Sequence, residues 1–156
     1  MKETATDRWR DNHIGNSLQL ALRRFDARVL GLMARNENVP LALANLAARG
    51  ALTASHVQIT RHLAASGMRL TALAERAGIT KQAMGKLVDQ CEAWGLVQRL
   101  PDTSDARAKW VQFTPLGEVW LAAFRTAVAQ AETELRSAVG NEVATVIVLG
   151  LEAYAG

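Results

Sequence analysis

Apolar residues recur at helical intervals along much of this chain. Between Asn16 and Arg35 they follow one another by four, three, four and three positions, at Leu18, Leu22, Phe25, Val29 and Leu32. Such spacing puts the five side chains on one side of an α-helix, and it also suits a helix that packs along a partner helix. We therefore predict a long amphipathic helix near the N-terminus.

Turn-forming and capping residues divide the middle of the chain into shorter elements. Proline is tolerated in the first turn of a helix, serine and threonine are favoured N-caps, and glycine commonly follows the last turn. The predicted elements are a helix over Leu41–Arg49 after Pro40, a helix from Thr53 or Ser55 to about Ala65, a short strand over Met68–Leu70, a helix capped by Thr71 that ends at Gly78, and a helix capped by Thr80 that ends at Gly95.

The pattern changes in the next twenty residues or so. Branched and aromatic residues fill two short runs, Leu96–Leu100 and Lys109–Thr114, and the turn-forming segment Pro101–Ala108 joins them. These runs predict a β-hairpin with a polar, charged tip. The expected fold class is therefore mainly α with a small β-hairpin.

Two helices complete the predicted fold. The first starts at Thr114-Pro115 and runs to about Val139, and the last covers Glu142–Tyr154 after a break at Gly140-Asn141. Because the last helix is apolar on nearly every side, it must be buried on every side, either inside its own subunit or against a second copy. A chain of 156 residues has little room for the first arrangement. We therefore expect the N- and C-terminal helices to form a homodimer interface.

Composition limits the class of protein. Of the 156 residues, 49% are hydrophobic and 21% are charged, which fits one globular domain. The single cysteine, Cys91, excludes an internal disulfide framework and a four-cysteine zinc site, and it fits a reducing compartment. The polar N-terminal residues do not resemble a secretory signal, and the longest apolar run, Val143–Leu151, is about half as long as a membrane span. We expect a cytoplasmic protein that has no membrane partner.

Charge is unevenly distributed along the chain. The net charge of +3 divides into +4 over residues 1–66, +2 over residues 67–114 and −3 over residues 115–156. Basic regions attract nucleic acid, although a solvated surface without a partner can have the same composition. Charge alone leaves both interpretations open.

The order of elements within residues 71–114 narrows the choice. Two helices joined by Gly78-Ile79-Thr80 and followed by a hairpin form the pattern of a winged helix-turn-helix. Polar residues crowd the start of the second helix, and the small residues Ala83 and Gly85 lie among them, so this helix end can enter a DNA major groove. The apolar side of the same helix consists of Met84, Leu87, Val88 and Cys91.

Four short motifs lie within residues 70–117. They are LAERAGIT before the second helix, LVDQCEAWGLV at its end, PDTSDAR at the hairpin tip and FTPLG at the start of the next helix. Together they resemble the MarR family of bacterial transcription regulators. The resemblance implies one MarR-like domain over residues 1–156, with dimerisation helices at about 14–50 and 115–156 and a DNA-binding winged lobe at about 52–114.

The resemblance also implies what the protein does. We expect a homodimer that binds double-stranded DNA at a palindromic operator and acts as a repressor, although an activator would use the same contacts. A small-molecule effector often lowers the DNA affinity of such regulators.

The residues expected to contact DNA lie at the start of the second helix and in the hairpin. They are Thr80, Lys81, Gln82, Ala83, Gly85, Lys86, Asp105, Arg107 and Lys109. The amide of Gln82 suits either an adenine or a phosphate. Arg107 is expected in the minor groove, with Asp105 orienting its guanidinium through a charge-assisted hydrogen bond.

This chain departs from the family pattern within that set. Relatives commonly have Ser or Thr near positions 82, 83 and 85, whereas this chain has Gln, Ala and Gly. Lys86 replaces a common arginine, and Ala106 stands where a wing cation is common. We expect somewhat fewer phosphate contacts and an operator particular to this protein.

Four residues are candidates for a pocket that holds a small aromatic effector. They are Phe25, His56, Trp120 and Phe124. Aromatic residues at helical spacing are more commonly core residues, and this interpretation stays open beside the pocket.

Other chemistry has weaker support. Cys91 lies on an apolar helix side, which favours an inert core thiol over a redox sensor. His56 and His62 are six positions apart and do not share a helix face as a metal-binding pair does, so we expect no metal and no cofactor. No Ser-His-Asp or paired-carboxylate arrangement indicates an enzyme. The alternatives are a winged-helix protein-interaction module without operator DNA and a redox- or metal-responsive regulator.

Overall fold

The computed structural model describes residues 8–156, and eight helices and three strands lie within them. The helices are α1 (Arg8–Asp11), α2 (Ile14–Met33), α3 (Leu41–Ala48), α4 (Ala54–His62), α5 (Leu70–Ala77), α6 (Lys81–Ala93), α7 (Pro115–Val139) and α8 (Asn141–Ala155). The strands are β1 (Met68–Arg69), β2 (Val97–Pro101) and β3 (Lys109–Phe113). The predictions for a domain that starts at residue 1 and for a start without a secretory signal extend over residues 1–7, which lie outside the described residues.

The mainly helical fold with a small β-element is confirmed, and threonine caps define two of its helices. The Thr80 hydroxyl accepts a hydrogen bond from the backbone N–H of Ala83 at 3.1 Å. The Thr114 hydroxyl accepts one from the backbone N–H of Gly117 at 3.0 Å. Each bond satisfies a backbone donor that the first helical turn would otherwise leave free, which is why these positions start helices.

The predicted cap at Thr71 is wrong. Helix α5 begins two residues earlier than a cap at Thr71 implies, at Leu70, with Arg69 as its N-cap and no side-chain capping bond. Arg69 is also the last residue of β1, so the backbone passes directly from the strand into the helix. Leu70 is buried in the core, and packing of this side chain replaces capping as the source of stability at the helix start.

The three strands form one antiparallel sheet in the order β1-β3-β2. In the hairpin of β2 and β3, Val97 pairs with Phe113 and Arg99 pairs with Val111. Strand β1 adds to the free edge of β3, where Met68 pairs with Val111. The predicted hairpin and the short predicted strand before it are therefore parts of the same sheet.

A hydrogen bond in the core joins α7 to α4, the helix that precedes the helix-turn-helix of α5 and α6. Trp120 on α7 is 1% exposed, and its indole N–H donates to the Thr60 hydroxyl on α4 at 3.1 Å. Both polar atoms are thereby satisfied, so the largest side chain of the core is buried without an unpaired donor.

Helix α7 leaves the sheet without a linker. Strand β3 ends at Phe113 and α7 begins at Pro115, while the Thr114 hydroxyl donates to the carbonyl oxygen of Gly95. Gly117 packs so closely that a Cβ added there would clash with the carbonyl oxygen of Leu96. A glycine is therefore required where the first turn of α7 crosses the chain segment that enters β2.

The last helix stays largely outside the core. Within α8 only Ala144 is buried. The large apolar side chains that remain exposed are Val143, Val146, Ile147, Val148, Leu149, Leu151 and Tyr154. Burial of α8 inside its own subunit, one of the two arrangements open to the sequence, is therefore excluded.

The described helices do not individually have the length and composition of a membrane span. No single helix among residues 8–156 is long and apolar enough to cross a bilayer. Helices α7 and α8 meet the length and composition only as a pair, and that pair is bent by 116°.

Candidate nucleic-acid interface

The start of α6 presents polar side chains to solvent and apolar ones to the core. Lys81, Gln82, Ala83 and Lys86 are exposed, as is the capping residue Thr80. On the opposite side Met84 and Val88 are fully buried and Cys91 is 2% exposed. Gly78 ends α5 in the left-handed conformation, with φ of 69°, and so permits the tight turn into α6. The predicted DNA-contacting residues of this helix thus form one continuous exposed surface, which we call the reading surface.

Gly85 has no packing partner that would explain a glycine inside a helix. A Cβ built at this position meets nothing within 4 Å. Glycine in a helix interior costs about 0.5–1 kcal/mol relative to alanine. The fold would therefore accept an alanine here, and the glycine leaves this side of α6 without a side chain at some cost in stability.

The hairpin tip carries the other predicted contacts. Asp105, Arg107 and Lys109 are all exposed. The Asp105 carboxylate accepts the backbone N–H of Arg107 at 2.9 Å, so the prediction that it orients the guanidinium is wrong. This bond closes the turn, because an aspartate side chain commonly accepts the backbone N–H of the residue two positions after it. The Arg107 guanidinium has no hydrogen-bond or ion-pair partner within residues 8–156 and extends into solvent.

A charged cluster that the sequence analysis missed holds the base of this hairpin. Arg69 on β1 donates through Nε to the Asp102 carboxylate at 2.6 Å and through a terminal nitrogen to the Ser104 hydroxyl at 3.2 Å. Ser104 donates both its hydroxyl and its backbone N–H to Asp102. The hydrogen bonds from Arg69 and Ser104 hold the pKa of Asp102 well below its usual range. The cluster ties the wing to β1, and its members are 33 or more positions apart from Arg69 in the sequence.

A second cluster that was not predicted joins the wing to α6. The Arg99 guanidinium on β2 lies 2.7 Å from the Asp89 carboxylate and 2.9 Å from the Glu92 carboxylate. The same guanidinium donates to the backbone carbonyl of Gly85 at 3.1 Å. Glu92 also accepts the backbone N–H of Arg99 at 3.1 Å. The sequence signal that could have predicted this cluster is the pair Asp89 and Glu92, which lies on one side of the turn at Gly95 while Arg99 lies on the other.

Two of the four aromatic pocket candidates are internal. His56 is 7% exposed, and its Nδ1 accepts the backbone N–H of Thr53 at 3.0 Å. Its Nε2 lies 2.7 Å from the Gln90 amide oxygen, and its ring contacts Trp94 with centroids 4.8 Å apart. This makes His56 a capping residue of α4 as well as a contact to α6. Trp120 is likewise buried and is bonded to Thr60.

The other two candidates, Phe25 and Phe124, are half-buried against the core. Phe25 lines a groove of about 830 Å³ between α2 and α7, and that groove contains none of the other three candidates. Arg28 and Glu134 span it with a bidentate ion pair at 2.7 and 2.8 Å. Hydrogen bonding to Arg28 lowers the pKa of Glu134 to about 2.

The cysteine and histidines have no arrangement that suggests redox or metal chemistry. Burial raises the pKa of the Cys91 thiol to about 12, so the reactive thiolate is strongly disfavoured, in agreement with the predicted core position of this cysteine. Burial and the neighbouring Arg61 lower the pKa of His62. Within residues 8–156 no group of three or more His, Cys, Asp and Glu side chains is placed to hold a metal ion.

Comparisons with known proteins agree with this geometry. Residues 52–108 match the model of the MarR family. The chain is similar to the transcriptional repressor CouR bound to a 23-mer DNA duplex, with 21% identity, 100% of both chains covered and a TM-score of 0.68. It is also similar to wild-type apo MarR from E. coli, with 21% identity, 90% of this chain and 96% of that chain covered and a TM-score of 0.65.

A third similar structure is the PcaV transcriptional regulator from Streptomyces coelicolor in complex with its natural ligand. The two chains are 14% identical, with 99% of this chain and 97% of that chain covered and a TM-score of 0.65. No protein of curated function matches the chain.

The fold and its exposed surfaces define the class of protein. The helix-turn-helix of α5 and α6 is followed by the hairpin of β2 and β3, and β1 completes the sheet from the segment before α5, which is the winged-helix fold. The resemblance drawn from the four motifs is confirmed over residues 52–108, the part of the chain that matches the MarR-family model.

Proposed function

We propose that this protein is a homodimeric, sequence-specific DNA-binding repressor whose affinity for a palindromic operator is modulated by a small effector in the cytoplasm. The observation that carries the proposal is the pairing of an exposed reading surface on α6 with an unpartnered arginine at the wing tip. Cationic and amide side chains at the start of a capped helix are the groups that read a major groove.

The contacts divide between the two grooves. Lys81 and Lys86 neutralise phosphates, and Gln82 is placed to hydrogen-bond a base edge because it shares the exposed side of α6 with Lys86. Arg107 enters the minor groove, whose negative potential attracts a guanidinium. Thr80, Ala83, Gly85, Asp105 and Lys109 complete the surface that faces DNA.

A second copy of the chain explains the exposed face of α8. An apolar helix of this length is unstable in water unless another surface covers it. We propose that about residues 14–50 and 115–156 form the dimer interface and that about residues 52–114 form the DNA-binding lobe. A twofold axis then sets the two reading helices about 34 Å apart, in successive major grooves of a palindrome.

The effector would act on the spacing of the two lobes. A ligand that binds better to another spacing lowers DNA affinity by its difference in affinity for the two forms. Of the four aromatic candidates, Phe25 offers an accessible surface, in the groove between α2 and α7. Titration of the protein–DNA complex with small aromatic acids tests whether such a ligand releases the DNA.

Selection of duplexes from a random pool tests the central claim. A palindromic consensus is the expected result, because a dimer with two reading helices selects two related half-sites. Recovery of no preferred duplex, or of a single unrepeated half-site, would count against a dimeric regulator.

Two substitutions separate the helix from the wing. Gln82→Ala should change the preferred bases and cost about 1–3 kcal/mol on the selected duplex, because a bidentate base contact is lost. Arg107→Ala should weaken binding to selected and scrambled duplexes alike and reduce the slope of log affinity against log salt by about one unit. Salt titrations measure both effects, and Arg125→Ala on α7 is the control for the loss of one exposed positive charge.

Folding should survive both substitutions because both side chains are exposed. If Arg107→Ala leaves affinity and salt slope equal to those of Arg125→Ala, the hairpin is not a DNA-binding wing. A protein-interaction module would then describe the lobe better.

A further inference from the structure

We infer that Arg99 is a positioning residue that fixes the reading helix against the wing, so that both reach one duplex together. This inference rests on the proposed function. Arg99 does not lie on the reading surface, and its side chain is only 21% exposed. Its contribution to DNA binding would be made through α6.

The geometry places three acceptors around one guanidinium. Gly85, Asp89 and Glu92 follow one another at intervals of four and three along α6, and this spacing aligns them on one flank of the helix. That flank faces β2, and Arg99 contacts a backbone or side-chain oxygen of all three. We call this group the wing clamp. It fixes both the rotation of α6 about its axis and its distance from the sheet.

The chemistry of the clamp requires arginine. A guanidinium is planar and presents five N–H donors in fixed directions, so one side chain can bond two carboxylates and a carbonyl at once. A lysine ammonium retains the charge but is a compact point charge on a flexible stem. Gly85 takes part through its backbone carbonyl, so its contribution does not depend on the side chain at this position.

The clamp also controls charge on the helix that approaches DNA. The side chains of Asp89 and Glu92 are 68% and 41% exposed, and free carboxylates on α6 would repel phosphates. Arg99 offsets that charge while it holds the geometry. Positioning and charge compensation therefore need separate variants.

The experiment compares Arg99→Lys, Arg99→Gln and the triple variant Arg99→Gln/Asp89→Asn/Glu92→Gln with the control Arg125→Gln. Each protein is titrated with the duplex that the wild type selects and with a scrambled duplex. We expect Arg99→Lys and the triple variant to lose about tenfold or more of the ratio between the two affinities, which is the size of one lost base contact. Loss of folded protein alone would lower both affinities and leave their ratio unchanged.

A measurement without DNA keeps the inference separate from the proposed function. Amide hydrogen exchange reports local opening of the free protein. Arg99→Lys and Arg99→Gln should speed exchange in α6 and in β2 and β3 while α7 stays as protected as in Arg125→Gln.

Two results would overturn the positioning role. One is unchanged exchange in α6 and the wing of both Arg99 variants. The other is an affinity ratio within twofold of the wild type for Arg99→Lys or the triple variant, which would leave charge compensation as the only role. Failure of the wild type to prefer any duplex would instead contradict the proposed function, and the exchange measurement would still decide whether Arg99 holds α6.

Discussion

The winged lobe and the last helix bury their side chains in opposite ways. In the lobe, α6 turns Met84 and Val88 into the core and keeps lysine and amide groups in solvent. In α8 the large apolar residues are outside, with Val146 69% exposed and Leu149 59% exposed. The lobe thus buries its apolar side chains within itself and exposes polar groups, whereas α8 exposes apolar area that its own subunit does not cover.

The difference indicates two different kinds of partner. An exposed polar surface with unpaired cations suits a charged, hydrated partner such as DNA, whose binding weakens with salt. An exposed apolar helix suits a protein surface, whose association depends on buried area and far less on salt. Changes in α8 should therefore alter assembly, and changes in the lobe should alter stability or DNA binding without altering assembly.

The largest effect is expected from charge placed on α8. Val146→Glu/Leu149→Glu should raise the dimer dissociation constant by about 100-fold or more, because an unpaired buried carboxylate costs several kcal/mol. Deletion of residues 141–156 should give a monomeric or aggregating protein. Light scattering over a dilution series measures both. Leu100→Glu, which introduces the same charge at an exposed apolar position of the lobe, is the control.

A soluble dimer that persists in the deletion variant would remove the argument from α8. If Leu100→Glu dissociated the dimer as strongly as the α8 variant, assembly would depend on the lobe, and the contrast between the two regions would disappear.

A smaller effect is expected from the core of the lobe. Cys91→Ala should lower the free energy of unfolding by about 1–2 kcal/mol, in line with small core truncations. The dimer and the response of DNA binding to peroxide should both stay unchanged, because the buried thiol is held in its unreactive form. Denaturant unfolding measures the first, and binding after peroxide treatment measures the second.

Cys91→Ser sharpens this prediction. A hydroxyl without a partner at the same buried position should cost more than alanine does. If peroxide released DNA from the wild type and not from Cys91→Ala, Cys91 would be a redox sensor, and the prediction of a purely structural role would be wrong.

The smallest effect concerns the base of the wing. Since the folded-state pKa of Asp102 is depressed, its ion pair stabilises the protein above the unfolded-state pKa of about 3.9. That contribution is lost as the pH falls below this value towards the folded-state pKa. The difference in Tm between the wild type and Asp102→Asn should therefore be constant near neutral pH and shrink below about pH 4.

Thermal unfolding from pH 7 down to pH 3 checks this dependence, and Asp105→Asn, at an exposed turn of the same hairpin, is the control. A difference in Tm that stays constant down to pH 3 would show that the Asp102 carboxylate is not stabilised by Arg69.

Local signals allowed much of the fold to be predicted from the sequence. The caps at Thr80 and Thr114 and the turn at Gly78 depend on residues within three positions of each other, so the sequence displays them directly. The start of α5 was placed wrongly at Thr71 because the burial of Leu70, a tertiary effect, decides where the helix begins.

The candidate site was predictable to a lesser extent. Exposure of Lys81, Gln82 and Arg107 follows from helix and hairpin periodicity and is seen in the structure, while their contact with DNA stays a prediction. The Arg69–Asp102 and Arg99–Asp89 pairs were missed because each joins elements that only the folded sheet brings together. The pocket interpretation of His56 did not foresee its two hydrogen bonds. The bond to Gln90 joins residues 34 positions apart, and the local bond to Thr53 was missed because an imidazole stands where a capping box usually has Glu or Gln.

The tight junction at Gly117 gives α7 the properties of a lever. With 25 residues, α7 is about 37 Å long at 1.5 Å per residue. Its first turn is pressed against Leu96, and the Thr114 hydroxyl bonds to the carbonyl oxygens of Gly95 and Leu96 just before β2, so no linker separates α7 from the wing. A tilt of only about 5° moves the far end of such an arm by about 3 Å. A small displacement at the end of α7 that meets α8 is therefore coupled to a change in the orientation of the hairpin.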